Sequence, residues 1–306
     1  MILVALLATC LLALIPASAA ADGLPAAGID AQPVSAPSGE VDYTTERAGR
    51  DTRLIESARY GGPLRERRLH GAFSIPAVAY DSTASGLAAD GRTLVLISPR
   101  RRYPRKLTTL AVVDPRTLGI RRQIALRGDF SVDAISPDGR LLYLIEYSPR
   151  NPADYAVRAY DMRARRLLPE PVVDPSEPDE PMTGVPVTRV TSLDGRWAYT
   201  LYQSADHPFV HALDTERRTA VCIDLDELEQ VWNGRLDLRG TRLEVVGRTG
   251  RVRAAIDTRT HRLISPPASP ADADAGTSWL PIAAPTAALL LLAAAIRRRR
   301  RAARAP

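Results

Sequence analysis

Ten residues in two loops carry the charge pattern expected of a binding surface. "SPRRRYPRKL", residues 98–107, gathers Arg100, Arg101, Arg102, Arg105 and Lys106 around Tyr103. "LPEPVVDPSEPDEPMTGVP", residues 168–186, carries Asp174, Glu177, Asp179 and Glu180, with Glu170 just before them. Together they describe a bipolar surface for a partner, since loops on a rigid scaffold commonly carry function. The plainer reading is that both loops are solvated or neutralise each other, and exposed pairs of that kind are worth only ~0–1 kcal/mol each. The prolines and spacing of the acidic segment match no calcium loop.

Metal and catalytic chemistry have weaker support. "ADHPFVH" sets Asp206, His207 and His211 close in sequence, but positions four apart converge on a helix and not along a strand. The chain holds no H-E-x-x-H, Gly-rich phosphate loop or G-x-S-x-G. The expectation is therefore no catalytic set, no metal and no cofactor, with the enzyme question open because catalytic residues can be scattered over a repeat scaffold. Cys222, in "TAVCIDL", is the one cysteine outside the N-terminal segment. It cannot form an internal disulfide and is expected to pack as a small apolar residue of a rim strand.

The elements that position these loops come from a repeat. "AADGRTLVLIS" (88–98), "SPDGRLLYLIE" (136–146) and "SLDGRWAYTLY" (192–202) share a turn followed by an apolar run, and "LRGTRLEVVGR" (238–248) is a weaker copy. Glycine after aspartate permits the left-handed backbone that a hairpin turn requires. A second signature alternates with the first. Asp114, Asp161, Asp214 and Asp257 each end an apolar strand and open a polar turn, where the carboxylate can bond the backbone two residues on. That turn explains the four aspartates without a ligand. Two hairpins in every ~45–55 residues give four strands per unit, the signature of β-propeller blades. Residues 52–71 resemble a second hairpin, with Glu56 in the aspartate's place. The count is about five small blades, four full four-stranded units and one partial, in an all-β domain over 41–265. On this scheme both charged loops leave one face and the Asp-Gly turns leave the other. Five blades in a ring, an open arc, and an arc completed by a second copy all remain open.

Residues 112–147 resemble the YVTN-type β-propeller repeat of bacterial surface and secreted proteins. Val113, Asp114, Thr117, Ser136, Pro137, Asp138, Gly139, Tyr143 and Tyr147 carry the match, while the final asparagine of the family strand is replaced. The resemblance spans roughly residues 52–265. It implies a propeller fold and says almost nothing about activity; family members often have seven blades, more than this chain provides.

The ends set the expected location. Residues 1–21 carry no charge, are apolar from Ile2 to Ile15, and end in small residues that suit a signal peptidase; the missing basic start is unusual. A retained anchor is the rival reading, and "LATC" is a faint lipoprotein-like box. Residues 22–40 and 266–278, rich in Pro and Ala, read as linkers. Residues 279–296 hold no charge and would span roughly 27 Å as a helix, close to the ~30 Å of a bilayer core. Arg297–Arg301 then hold the 297–306 tail on the cytoplasmic side. Removing the six tail arginines leaves 35 basic against 35 acidic residues for 22–296, so the net charge of +6 belongs to the anchor and is no argument for nucleic-acid binding. The expected protein is a single-pass membrane protein with its body outside the cytoplasm, binding or scaffolding an envelope protein or polysaccharide. The alternative is an envelope enzyme, a metal-dependent hydrolase or lactonase-like, using axial residues. A transpeptidase sorting signal lacks the L-P-x-T-G that should precede it. Oligomeric state is not legible.

Overall fold

A computed structural model describes residues 31–151, 154–179 and 182–264. The segments read as signal, C-terminal anchor and arginine tail lie outside these residues, as does Glu180. No described helix is long and apolar enough to cross a membrane.

Among the described residues nineteen strands form five antiparallel sheets, each from one continuous stretch of chain. The first blade is β1 (Val34–Ser35), β2 (Val41–Ala48), β3 (Asp51–Ala58) and β4 (Pro63–Leu69). The second holds β5 (Leu94–Ile97), β6 (Leu107–Asp114) and β7 (Gly119–Arg127). The third is β8 (Asp129–Ile135), β9 (Leu141–Tyr147), β10 (Tyr155–Asp161) and β11 (Arg166–Val172). The fourth is β12 (Val185–Thr191), β13 (Trp197–Gln203), β14 (Phe209–Asp214) and β15 (Thr219–Asp224). The fifth is β16 (Arg235–Arg239), β17 (Arg242–Val246), β18 (Val252–Asp257) and β19 (Arg262–Ile264). In every sheet the strands pair in chain order. In the third blade β8 is buried along its whole length and β11 is mostly exposed, so the chain enters that blade on the inside and leaves at the rim.

Strand alternation welds the blades together. Leu94 and Leu96 pack with the first blade's Leu54 and Leu69, while Val95 and Ile97 turn to Phe130, Leu142 and Leu144 of the third. Tyr143 and Ile145 pack in turn against Ala198 and Leu213 of the fourth, and Leu201 and Val210 against Leu243 and Ile256 of the fifth. Consecutive four-stranded sheets with shared cores and buried inner strands are β-propeller architecture. Among the described residues, no apolar cluster joins the fifth blade to the first.

Both expected turns are present. Gly91, Gly139, Gly195 and Gly240 have φ between +58° and +74°. The Asp90, Asp138 and Asp194 carboxylates accept from the amide two residues on, at 2.8–3.1 Å. Asp114, Asp161, Asp214 and Asp257 do the same at 2.8–3.0 Å, so they are turn residues.

Three details depart from the sequence reading. The range 22–40 is not all linker: Val34–Ser35 pairs with Asp42–Tyr43, and "PSGE" (37–40) is a degenerate copy of the "PDGR" turn, with Gly39 at φ +70°. The first blade is therefore complete, and the short blade is the second. Its inner position is taken by residues 84–88, where Gly86, at φ +100°, interrupts the strand while its carbonyl still accepts from the Val95 amide at 2.8 Å. Glu56 is not the missing turn aspartate either; it sits within β3 opposite Arg65 and pairs with that guanidinium.

A hairpin before residue 84 reaches β12 of the fourth blade. Ala77 pairs with Ala84, and the Tyr80 and Asp81 amides donate to the Pro186 and Val187 carbonyls of β12 at 2.8 and 3.2 Å. The second blade thus bonds directly to the fourth.

Candidate functional site

The basic loop divides into two populations. Arg100 and Arg105 turn inward onto Asp129, the buried first residue of β8. Arg100 Nε and Arg105 Nε lie 2.9 and 3.1 Å from Asp129 Oδ1, and the Arg105 amide donates to Oδ2 at 3.0 Å. The Arg100 guanidinium also covers the Tyr147 ring at 4.7 Å. Burial, with repulsion from Arg100, lowers the Arg105 guanidinium to about 10. Tyr103 donates its hydroxyl hydrogen to the Ser148 carbonyl, tying this loop to the β9–β10 loop. Arg101, Arg102 and Lys106 stay exposed, and among the described residues they make no ion pair.

The acidic segment is anchored by one of its own residues. Asp174 accepts from the Ser176 amide and hydroxyl at 2.8 and 2.6 Å, and from the Cys222 amide of β15 at 2.8 Å. Burial opposes its ionisation, but these bonds outweigh it and hold the carboxyl below the usual range. Glu177 and Asp179 are exposed. Among the described residues no ion pair joins the basic loop to the acidic segment. Arg100, Arg105 and Asp174 are thus committed to structural partners, while Arg101, Arg102, Lys106 and Asp179 are exposed. By strand order the basic loop joins the second and third positions of its blade and the acidic segment joins the last strand of the third blade to the first of the fourth.

A small cleft opens beside the Asp174 turn, lined by Asp174, Glu177, His207, His211, Cys222 and Asp224 among others, with a volume of about 60 Å³. That holds an ion with its water, whereas drug-sized ligands need several hundred Å³. His207 sits in the loop before β14, and its Nε2 lies 3.0 Å from Asp224 Oδ1. Its Nδ1 is 4.0 Å from Asp226 Oδ1. The end of β15 explains the convergence: Leu225 is buried with its amide bonded to the Pro208 carbonyl at 2.9 Å, and the chain turns at 226–227, which holds the His207 loop beside Asp224 and Asp226. The Asp224 hydrogen bond, aided by the charges of Asp224, Asp226 and Asp206, raises the His207 imidazole above its ordinary value against a smaller effect of burial.

His211 occupies a different setting. It lies in β14, opposite Cys222, and is 1% exposed. Its ring stands edge-on to Tyr202 at 6.3 Å. Burial drives its pKa down to about 4, so the ring is neutral at ordinary pH. His207 and His211 line one cleft without acting as a strand-spaced pair. The partners that the sequence reading missed for His207 are Asp224 and Asp226.

Beneath the cleft lies a buried ion pair. Arg189 of β12 and Asp133 of β8 have side chains only 2% and 3% exposed. Arg189 donates to the Asp133 carbonyl and carboxylate and to Thr200 Oγ1, the last at 2.8 Å. Asp133 Oδ2 has no hydrogen-bond partner.

No family model matches the chain, and no curated protein matches it. Solved structures do align. Hydrazine synthase from Kuenenia stuttgartiensis is 15% identical over 77% of this chain and 80% of its own, with a TM-score of 0.40. TolB from Acinetobacter baumannii is 14% identical over 76% of this chain and 54% of its own, with a TM-score of 0.43. A functionally unknown protein from Desulfotomaculum acetoxidans is 13% identical over 77% and 72%, with a TM-score of 0.46. The chain thus spans about half of the TolB chain. At such scores the fold assignment rests on the strand order and shared cores described above.

Proposed function

We propose that this chain is a membrane-anchored, extracytoplasmic β-propeller that acts as a binding or scaffold module at the bacterial cell envelope. Its partner, an envelope protein or polysaccharide with acidic groups, meets the long-loop face. The observation that carries the reading is the state of the basic loop. Two arginines are consumed by Asp129, while Arg101, Arg102 and Lys106 are exposed and, among the described residues, without an ion pair. The apolar stretch 279–296 and the arginines after it support the anchor, and residues 1–21 support export.

The test has two parts. Reporters active on only one side of the membrane, fused after residue 306, should report a cytoplasmic C-terminus; an external signal refutes the topology. A photo-crosslinking residue at Arg102 should capture a discrete envelope partner in cells, and Arg101→Glu with Lys106→Glu should abolish that product. Capture unchanged by charge reversal refutes the loop's role.

A further inference from the structure

We propose that the cleft walled by Tyr80 and Trp232 binds a saccharide chain that carries carboxylate groups, of the uronic-acid class. The site is separate from the basic loop, and the inference stands whether or not that loop meets a partner.

Three tight turns frame the cleft. Ala79–Ser82 is the tip of the hairpin that bonds to β12, closed by the Ser82 amide on the Ala79 carbonyl at 3.0 Å. Val231–Gly234 precedes β16 and closes at 2.7 Å, and Gly247–Gly250 joins β17 to β18 and closes at 2.9 Å. The space they enclose is about 470 Å³, lined by Tyr80, Asp81, Trp232, Asn233, Arg235 and Arg248 among others. Ligand sites occupy roughly 300–1,000 Å³.

The aromatic walls carry the argument. Tyr80 is 58% exposed and Trp232 43%. Single apolar side chains scattered over a surface are ordinary, but two aromatics on one cleft rimmed by polar groups mark a binding groove. Their exposure is built in. Ala79 and Val231, the residues before them, are buried, the Tyr80 amide is bonded to the Pro186 carbonyl at 2.8 Å, and the Val231 amide donates to Gln203 Oε1 at 2.8 Å. Gly234 packs so closely that a Cβ there would lie 2.9 Å from the Val231 carbonyl oxygen and 3.0 Å from Leu201. The backbone under both rings is thus fixed before a ligand arrives, which lowers the cost of binding.

The polar groups decide the ligand class. A pyranose has an apolar C–H face for stacking on a ring and a rim of hydroxyls for hydrogen bonds. Tyrosine and tryptophan supply the apolar platforms at small conformational cost. The Asn233 amide offers hydroxyls both a donor and an acceptor. Arg248 is exposed and, among the described residues, makes no ion pair, while Arg235 lies 3.5 Å from Asp237. Guanidinium forks match carboxylates bidentately. Asp81, the acid in the lining, already binds the Thr83 amide and hydroxyl through one oxygen. Positive charge therefore prevails beside the rings, which selects an acidic sugar over a neutral one. An apolar peptide would use the rings and leave the guanidinium groups idle.

The experiment uses the full chain in detergent and three probes, oligomers of galacturonate, mannuronate and glucuronate. Each is compared with its methyl ester, which keeps the rings and loses the charge. At least one free acid should bind saturably in calorimetry, with a Kd between micromolar and millimolar, and shift the tryptophan emission; its ester should bind at least tenfold more weakly. Trp232→Ala, Tyr80→Ala and Arg248→Glu should each weaken the acid at least tenfold while melting as the parent does. Tyr60→Ala, an exposed aromatic outside the cleft, and Arg101→Glu with Lys106→Glu in the basic loop should bind as the parent does. No saturable binding of any acid, equal binding of acid and ester, or parental affinity in Tyr80→Ala and Arg248→Glu would each overturn the site. Saturable binding of a peptide of residues 266–278, the proline-rich kind that docks on aromatic-lined grooves, with no saccharide bound, would overturn the ligand class. Loss of binding confined to the Arg101→Glu and Lys106→Glu variant would place the sugar on the basic loop and overturn the cleft.

Discussion

Arg189→Met tests the seam between the third and fourth blades. Methionine keeps much of the side-chain volume and removes the guanidinium. Asp133 then loses the donors to its carboxylate and its carbonyl, and its carboxylate remains 3% exposed with one oxygen already unpartnered. Breaking a buried pair from one side costs about 3–5 kcal/mol, because a charge is left without compensation. An ordinary domain has about 5–15 kcal/mol in total, so the loss is a large share. At a urea m-value of about 2–3 kcal/mol/M the midpoint should fall by roughly 1–2 M with m unchanged. Pairing Arg189→Met with Asp133→Leu removes both charges and should recover most of the loss. A single-variant loss below about 1 kcal/mol, or a double variant no more stable than the single, refutes the assignment of a dry, coupled pair.

Two further outcomes follow from the turns and from His211. Gly195→Ala should destabilise more than Gly240→Ala in the same urea assay. Both glycines have positive φ, which costs alanine about 1–2 kcal/mol, but a Cβ at 195 would also lie 2.6 Å from Ala89 while one at 240 meets nothing. Equal losses would mean that the turns do not crowd. The His211 ring stays neutral in the folded chain down to about pH 4, whereas the unfolded chain takes up that proton near 6.5. The unfolded state therefore binds more protons between these values, and stability falls on acidification across that window, by up to about 3 kcal/mol from this residue. His211→Phe should flatten the pH dependence of the urea midpoint between pH 6.5 and 4, and an unchanged slope contradicts the burial argument.

The repeat was legible because its turns are chemically constrained. Gly91, Gly139 and Gly195 need a left-handed backbone, and Asp114, Asp161, Asp214 and Asp257 bond amides two residues on, so local chemistry left a periodic mark. Pro37–Glu40 escaped because serine replaces the aspartate, within a stretch whose composition reads as linker. Glu56 was misassigned because acidity alone does not distinguish a turn cap from a strand residue facing Arg65. The fates of Arg100 and Arg105 could not be read from a run of arginines, because their partner Asp129 lies in the next blade. The His207 cluster depends on pairing between separate strands, a register that sequence spacing does not encode.

The reach of the Tyr80–Asp81 hairpin to β12 bears on how the array holds together. In a linear solenoid each repeat touches only its neighbours, so the ends can fray independently. Here two amides of an early segment find their acceptors more than a hundred residues later in the chain. An incompletely emerged polypeptide leaves those amides wet, and the first half settles only after the fourth blade arrives. The five blades should therefore melt as one unit, with hydrogen-exchange protection at Tyr80 tracking that of β12.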